Sequence, residues 1–355
     1  MPQISSHRMD KILFRVDGGK VEGLSMGHVY RTLALARELD HHGFCSIFLM
    51  RDIPEGVQVV KNSGYTVQHI PINSSPTAQA LAMIQSDAVA MIIDIPEIDH
   101  CDIHRARQSE KPIILIDDQG GLSLDADMVV NGNLVKESHS YSGNIAKRLI
   151  GPKFCILGSE FKHPHRLKKK HSAPQILVTF GGSDPSGLTR KALAVLAKNS
   201  IDADFIVVLG PAFGSEDEIK RAVAESNSQF TILKSVESLA TLMLSADIAI
   251  AAAGRSAYEL AATGTPAILI PSIKHEQPVA LNFAAHGSAN VIFPDQIDAL
   301  PTILSQLLND NTTLENMSQL GQQLIDGLGC HRVASEIARF IKDNAPIKKQ
   351  AAAHC

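Results

Sequence analysis

Apolar residues come in short runs separated by segments of helical spacing, and this alternation runs through the chain twice. Residues 11–16 (KILFRV) read as a strand, and a glycine-rich loop follows at 17–27. Over residues 28–42, Val29, Leu33, Ala36 and Leu39 fall on one helical face. Residues 45–50 form the next strand and 65–70 a weaker one. The runs 88–94 (AVAMIID) and 112–117 (PIILID) are apolar almost throughout and end in Asp. Strands without polar alternation, separated by helices, predict a parallel sheet covered on both faces.

The alternation stops at residues 162–173 (KHPHRLKKKHSA), where four Lys, one Arg, three His and a Pro leave few apolar positions. This stretch reads as a solvated linker rather than as a phosphate-binding patch. The pattern restarts at 174–180 (PQILVTF), with further strands at 204–209, 230–233, 247–251 and 266–270. Helical spacing covers 188–198, 256–263, 277–286, 299–308, 314–325 and 333–341. The expected architecture is α/β, with two doubly wound Rossmann-like domains at residues 1–162 and 174–345, facing a cleft. Residues 346–355 have no periodicity and are expected to be a disordered tail.

Composition narrows the function classes. The 355 residues fit two domains. Lys plus Arg is 33 against 37 Asp plus Glu, a formal net charge of -4, which argues against a nucleic-acid partner held by phosphate contacts. No apolar run reaches the roughly 18 residues of a membrane span. The first ten residues are polar and lack a signal-peptide core, so a cytoplasmic location is expected. Cysteines at 45, 101, 155, 330 and 355 form no CxxC pair, which supports neither a zinc ribbon nor a disulfide framework.

Ligands of open parallel sheets bind at the carboxyl ends of strands, so the chemistry is sought in the loops there. The first loop holds Asp17, Gly18, Gly19, Gly23 and Gly27, then His28 and Arg31. It matches neither a GxGxxG fingerprint nor a P-loop. His28 opens a helix whose positive end favours a neutral ring, and a neutral imidazole serves as a general base. The competing reading is that His28 packs or caps the helix start. Arg31, one turn on, reinforces the effect or meets a phosphate.

The loop Gly181-Gly182-Ser183-Asp184 leaves backbone N–H groups free before a helix, a place for an anion. A third loop carries Gly254, Arg255, Ser256 and Glu259 into another helix. Ser256 and Glu259 have capping-box spacing, yet Glu259 also suits the two hydroxyls of a ribose. The fourth loop offers Gln277 and Asn282 as donors to a sugar or phosphate, and Lys274 and His275 add local positive charge. Asp94, Asp117 and Asp118 end strands; they read as helix caps in preference to metal ligands, and no metal or cofactor is expected.

Taken in order, Arg-x-Asp…Gly-His-x-x-Arg, Ile-Asp-Asp, Gly-Gly-Ser-Asp-Pro and Gly-x-Ser-x-x-Glu-Leu, with a Gln-containing loop, resemble one family. It is the nucleotide-sugar hydrolases of pseudaminic acid biosynthesis, with the spore-coat polysaccharide biosynthesis proteins in the wider group. The resemblance spans roughly residues 11–292 and extends to GT-B glycosyltransferases. It implies a GT-B fold, UDP held by the C-terminal domain, and a closing helix that packs back on the first domain. By resemblance Gly254 and Ser256 match the phosphate loop, Glu259 the ribose carboxylate, Gly181 to Ser183 the diphosphate loop, and His28 the general base. Asp17, Gly27, Arg31, Asp118, Gln277 and Asn282 complete the expected substrate site. The implied reaction is water attack at the anomeric carbon of UDP-2,4-diacetamido-2,4,6-trideoxy-β-L-altropyranose, without a metal. The chain departs from the family pattern in a longer first loop, with Met26 before Gly27, and in Arg255, where a smaller residue is common. A GT-B transferase using an acceptor alcohol, and a non-catalytic nucleotide-sugar binding protein, are the alternatives.

Overall fold

In the computed structural model the two rounds of alternation become two sheets, both parallel throughout. The structure describes residues 9–344 except 20, 22, 23, 25, 97–99, 163–172, 183, 185, 211, 212, 215, 225, 235 and 237. Most of the expected linker, all of the expected tail, Gly23 and Ser183 therefore lie outside the described residues.

The first sheet has the order β3-β2-β1-β4-β5-β6-β7. Its strands are β1 (Asp10–Val16), β2 (Phe44–Arg51), β3 (Thr66–Ile70), β4 (Ala90–Asp94), β5 (Ile113–Ile116), β6 (Leu122–Asn131) and β7 (Tyr141–Ile150). Between them run α1 (Gly27–His41), α2 (Pro54–Asn62), α3 (Pro76–Gln85) and α4 (His100–Ala106). The second sheet has the order β10-β9-β8-β11-β12-β13. It comprises β8 (Gln175–Thr179), β9 (Asp204–Leu209), β10 (Gln229–Lys234), β11 (Ile248–Ala251), β12 (Ala267–Leu269) and β13 (Ala289–Val291). Its helices are α5 (Leu188–Ala197), α6 (Glu216–Val223), α7 (Leu239–Ser245), α8 (Arg255–Thr263), α9 (Glu276–Ala285), α10 (Leu300–Leu308) and α11 (Asn311–Leu324), before the closing α12 (Gly329–Asp343).

The central strands β1, β4, β5, β8 and β11 are buried along almost their whole length, because helices cover both faces. The sequence pattern predicts no strand at β6 or β7, nor the helices α2 to α4, α6 and α7. Strand β6 buries Leu124, Ala126 and Met128 and turns Ser123, Asp125 and Asp127 outward, a half-buried alternation. At the sheet edge, β7 buries only Ile145 and Leu149, which leaves almost no apolar signal.

Chain and core do not divide at the same place. Val333, Ala334, Ile337, Ala338 and Ile341 of α12 pack in one cluster with Phe14 of β1 and Val29 and Leu33 of α1. Leu134, Val135, Leu157 and Phe161 join the core of the second sheet with Leu260 and Phe283. Where the chain returns at the start of α12, a Cβ on Gly329 would stand 2.1 Å from the Cys155 carbonyl oxygen. Only glycine admits that approach of the two crossing segments. Among the described residues no helix is long and apolar enough to cross a membrane.

Candidate functional site

In each sheet the strand order reverses between two central strands: β1 and β4 in the first, β8 and β11 in the second. Connections leave such a pair toward opposite faces, so a crevice opens at the carboxyl ends. In the first sheet, the chain beyond β1 reaches Gly27 and His28 at the start of α1, and β4 ends on Asp94. Side chains 66 residues apart thereby meet: His28 Nδ1 lies 2.8 Å from Asp94 Oδ1.

Arg31 completes the group. Its Nε donates to Asp94 Oδ2 at 2.6 Å and its Nη2 to Oδ1 at 2.6 Å, a two-pronged pair. Its Nη1 donates to Asp118 Oδ2 at 2.6 Å. Asp94 is fully buried. Burial alone would raise its carboxyl, but the Arg31 guanidinium, with help from His28, brings it down to about 2. Arg31 stays charged: burial opposes its charge, and Asp118 and Asp94 outweigh that. An ionised carboxylate only accepts, so we assign the His28 proton to Nδ1, which leaves the Nε2 lone pair free to accept. Met26, the residue before α1, supplies no side-chain cap to the helix.

This differs from the sequence expectation in two respects. Asp94 and Asp118 bind Arg31 rather than a helix end. Asp17 is not open to a ligand. It is almost fully buried, and its carboxylate accepts from Arg15 Nη2 at 2.6 Å, Arg51 N at 2.8 Å and Arg51 Nε at 2.7 Å. Three donors hold both of its oxygens, so it anchors the root of the loop.

In the second sheet, α8 starts directly beyond β11. Gly254 is its N-cap and no side chain caps it. The capping box between Ser256 and Glu259 does not form, because the N-cap is Gly254, two residues before Ser256. Glu259 Oε1 instead accepts from Arg255 Nε at 2.8 Å. A Cβ on Gly254 would stand 2.8 Å from Glu276 Oε1, so any other residue there has to displace that carboxylate. Glu276 is fixed by Ser272, whose N and Oγ donate to Oε2 at 2.7 and 2.8 Å. The Arg255 Nη1 group reaches across to within 3.5 Å of the Gly27 carbonyl, beside His28.

A second tie joins the halves. The Tyr258 hydroxyl donates to Asn133 Oδ1 at 2.9 Å and accepts from Leu134 N at 3.1 Å. Asn133 Nδ2 in turn donates to the Asp118 carbonyl at 3.0 Å. The starts of α1 and α8, to which Met26 and Gly254 give no side-chain cap, therefore face one cleft, and Arg31, Asp118, Arg255 and Glu259 surround it, with Asp94 buried behind Arg31.

Gly181 and Gly182 lie at the carboxyl end of β8, Gly181 with φ of 80°. The helix that follows is closed by a side chain: Asp184 accepts from Leu188 N at 2.9 Å and Thr189 N at 2.7 Å at the start of α5. Gln277 sits in the first turn of α9. Asn282 follows five residues later, about 140° round the helix, and its Nδ2 donates to the Pro278 carbonyl at 2.9 Å. The two amides do not converge, and Asn282 is spent on its own helix. The sequence reading misses Asp94 as the partner of His28, and it misses Tyr258 and Asn133. A Tyr on the helix of a phosphate loop, two residues beyond Ser256, is too ordinary a signal to find the latter pair.

Residues 176–326 match the glycosyltransferase family 28 C-terminal domain. The spore coat polysaccharide biosynthesis protein SpsG of Bacillus subtilis is 26% identical over 345 residues, covering 90% of this chain and 95% of that protein. An uncharacterized protein of Methanocaldococcus jannaschii is 32% identical over 267 residues, covering 72% of this chain. The chain spans 54% of that relative, about half its length. The crystal structure of Acinetobacter baumannii MurG superposes with a TM-score of 0.70 at 16% identity, over 93% of this chain and 99% of that one. Two parallel-sheet Rossmann-like domains facing one cleft give this chain the GT-B fold, and its residues 176–326 match the glycosyltransferase family 28 C-terminal domain.

Proposed function

We propose that the protein is a nucleotide-sugar hydrolase that releases UDP and a free deoxy-diacetamido sugar, in the making of a nonulosonic acid or a surface polysaccharide. The observation that carries this reading is the His28–Asp94 pair at the start of α1, opposite α8. In the reaction, His28 Nε2 takes a proton from water. The water oxygen bonds to the anomeric carbon from the face opposite the nucleotide. The bond from that carbon to the β-phosphate oxygen breaks, and its electron pair leaves with UDP. Asp94 holds the ring orientation and balances the charge the ring gains, while Arg31 holds Asp94. Gly254 and Ser256 lie beside the diphosphate with Gly181 and Gly182, and Glu259 takes the ribose hydroxyls.

A second reading has one observation in its favour, the family 28 match. An acceptor alcohol in place of water would make the same base serve a glycosyltransferase. Incubation with a panel of UDP-sugars, with and without acceptor alcohols, separates the readings by UDP release. Release without acceptor supports hydrolysis, and release only with acceptor supports transfer. Binding without release under either condition leaves a nucleotide-sugar binding protein and rejects both.

A further inference from the structure

Arg255 is one of two places at which the chain leaves the pattern of the family it resembles, and the reaction described above gives it no task. It is the first residue of α8 and partly exposed. Its guanidinium touches both halves of the cleft: Glu259 at 2.8 Å on one side, and the carbonyl next to His28 at 3.5 Å on the other. In a UDP-sugar, the diphosphate is the segment that links the ribose to the anomeric carbon. A side chain that spans from the ribose carboxylate to the neighbour of the base spans that segment.

We propose that Arg255 is a further catalytic residue, whose guanidinium meets the β-phosphate and stabilises the charge that arrives there as the anomeric bond breaks. The inference rests on the nucleotide-sugar reading of the cleft. Its physical basis is an exchange of partners. Glu259 engages only Nε of Arg255, and with two lone pairs on each oxygen it keeps that bond while it accepts two ribose hydroxyls. The Nη1 group, whose contact with the Gly27 carbonyl is long at 3.5 Å, exchanges that carbonyl for a phosphate oxygen at an uncapped helix start, where the aligned dipoles already favour an anion. The other guanidinium of the site is committed, because Arg31 holds Asp94 and Asp118. Charge develops on the leaving oxygen only as the bond breaks, so a cation fixed there acts more strongly on the transition state than on the bound substrate.

The test compares UDP with UMP, which lacks the β-phosphate, by calorimetry on the parent, R255A and R255K, followed by turnover on the UDP-sugar that the panel identifies. R255A is expected to weaken UDP about tenfold or more, to leave UMP within about threefold, and to lower kcat on the order of 100-fold. R255K, which keeps the charge on the same helix position, is expected to regain part of the preference for UDP over UMP. Equal loss of UDP and UMP, or no loss of either, overturns the inference and leaves the nucleotide-sugar reading intact. A parent that binds neither nucleotide overturns both.

Discussion

Asp94 has no exposed surface yet stays ionised, because Arg31 offers it two parallel N–H groups. That pairing makes His28 more than a histidine at a helix start. The substitution His28→Asn keeps shape and removes the base, so kcat on the UDP-sugar is expected to fall by about 10²–10⁴-fold. UDP affinity should stay within a few-fold, since His28 lies on the other domain; near-parental turnover would remove His28 from the reaction. Asp94→Asn keeps the volume but loses the charge that fixes the ring. We expect turnover to fall on the order of 100-fold or more, with about 3 kcal/mol less stability in urea, from a buried guanidinium left half-paired. The pH dependence follows from the sign of the shift. The folded carboxyl lies near 2, below the roughly 3.9 of an unfolded Asp. Its stabilisation is complete above about pH 4 and is lost as pH falls toward 2. Acid unfolding of Asp94→Asn should therefore be less steep than that of the parent across this window. Glu259→Ala is expected to weaken UDP and UMP alike, by about ten- to hundredfold, because both carry the ribose. Unchanged affinities would leave Glu259 as the partner of Arg255 alone. His28, Arg31, Glu259 and the loop glycines are legible in the sequence, since type and spacing in one short segment mark them. Asp94 is not. Its role depends on β4 lying beside β1, and strand order is not written in any local pattern.

Helix starts do different work in this fold, and their capping separates them. The α1 and α8 starts carry no side-chain cap and face the cleft. The α5 start follows a loop just as rich in glycine, yet Asp184 closes it with two hydrogen bonds. Gly-Gly-Ser-Asp looks like an anion site in sequence because the same glycines serve tight turns and ligand loops. The carboxylate four residues before the helix closes the α5 start and leaves Gly181 and Gly182 out of the matter, and only its conformation, with φ of 44°, shows that it folds back. Asp184→Ala should cost about 1 kcal/mol of stability, the usual worth of an N-cap. UDP affinity should change less than about threefold, measured by calorimetry on the folded variant; a larger loss would return the α5 start to the nucleotide site. Strand recognition has a similar limit. The fully buried strands β1, β4, β5, β8 and β11 announce themselves as apolar runs. The edge strand β7 does not, because only two of its ten residues reach the core.

At the scale of the molecule, two domains are held by exchanged segments as well as by their cleft. The doubly wound alternation is legible along the chain; the return of α12 to the first domain is implied by the resemblance to GT-B proteins and not by the pattern, since the apolar face of α12 fits either core equally well. The structure gives it to the first: Ile337 and Val333 are fully buried beside Phe14, Val29 and Leu33, which precede them by some 300 residues of chain. Truncating Ile337 to Ala removes buried methyl groups from a packed cluster and costs about 2–5 kcal/mol. The loss belongs to the first domain although the residue lies beyond the last strand of the second. Native-state hydrogen exchange reads this directly. Amides of β1 and α1 should lose protection in Ile337→Ala, while those of β8 and β11 keep theirs. Faster exchange in β8 and β11 with β1 unchanged would assign α12 to the second core. The prediction reaches the site as well. His28 rides on α1, so a loosened α12 lets the base drift from the anomeric carbon. Turnover should then fall more than nucleotide affinity, which depends on α8 and its own core.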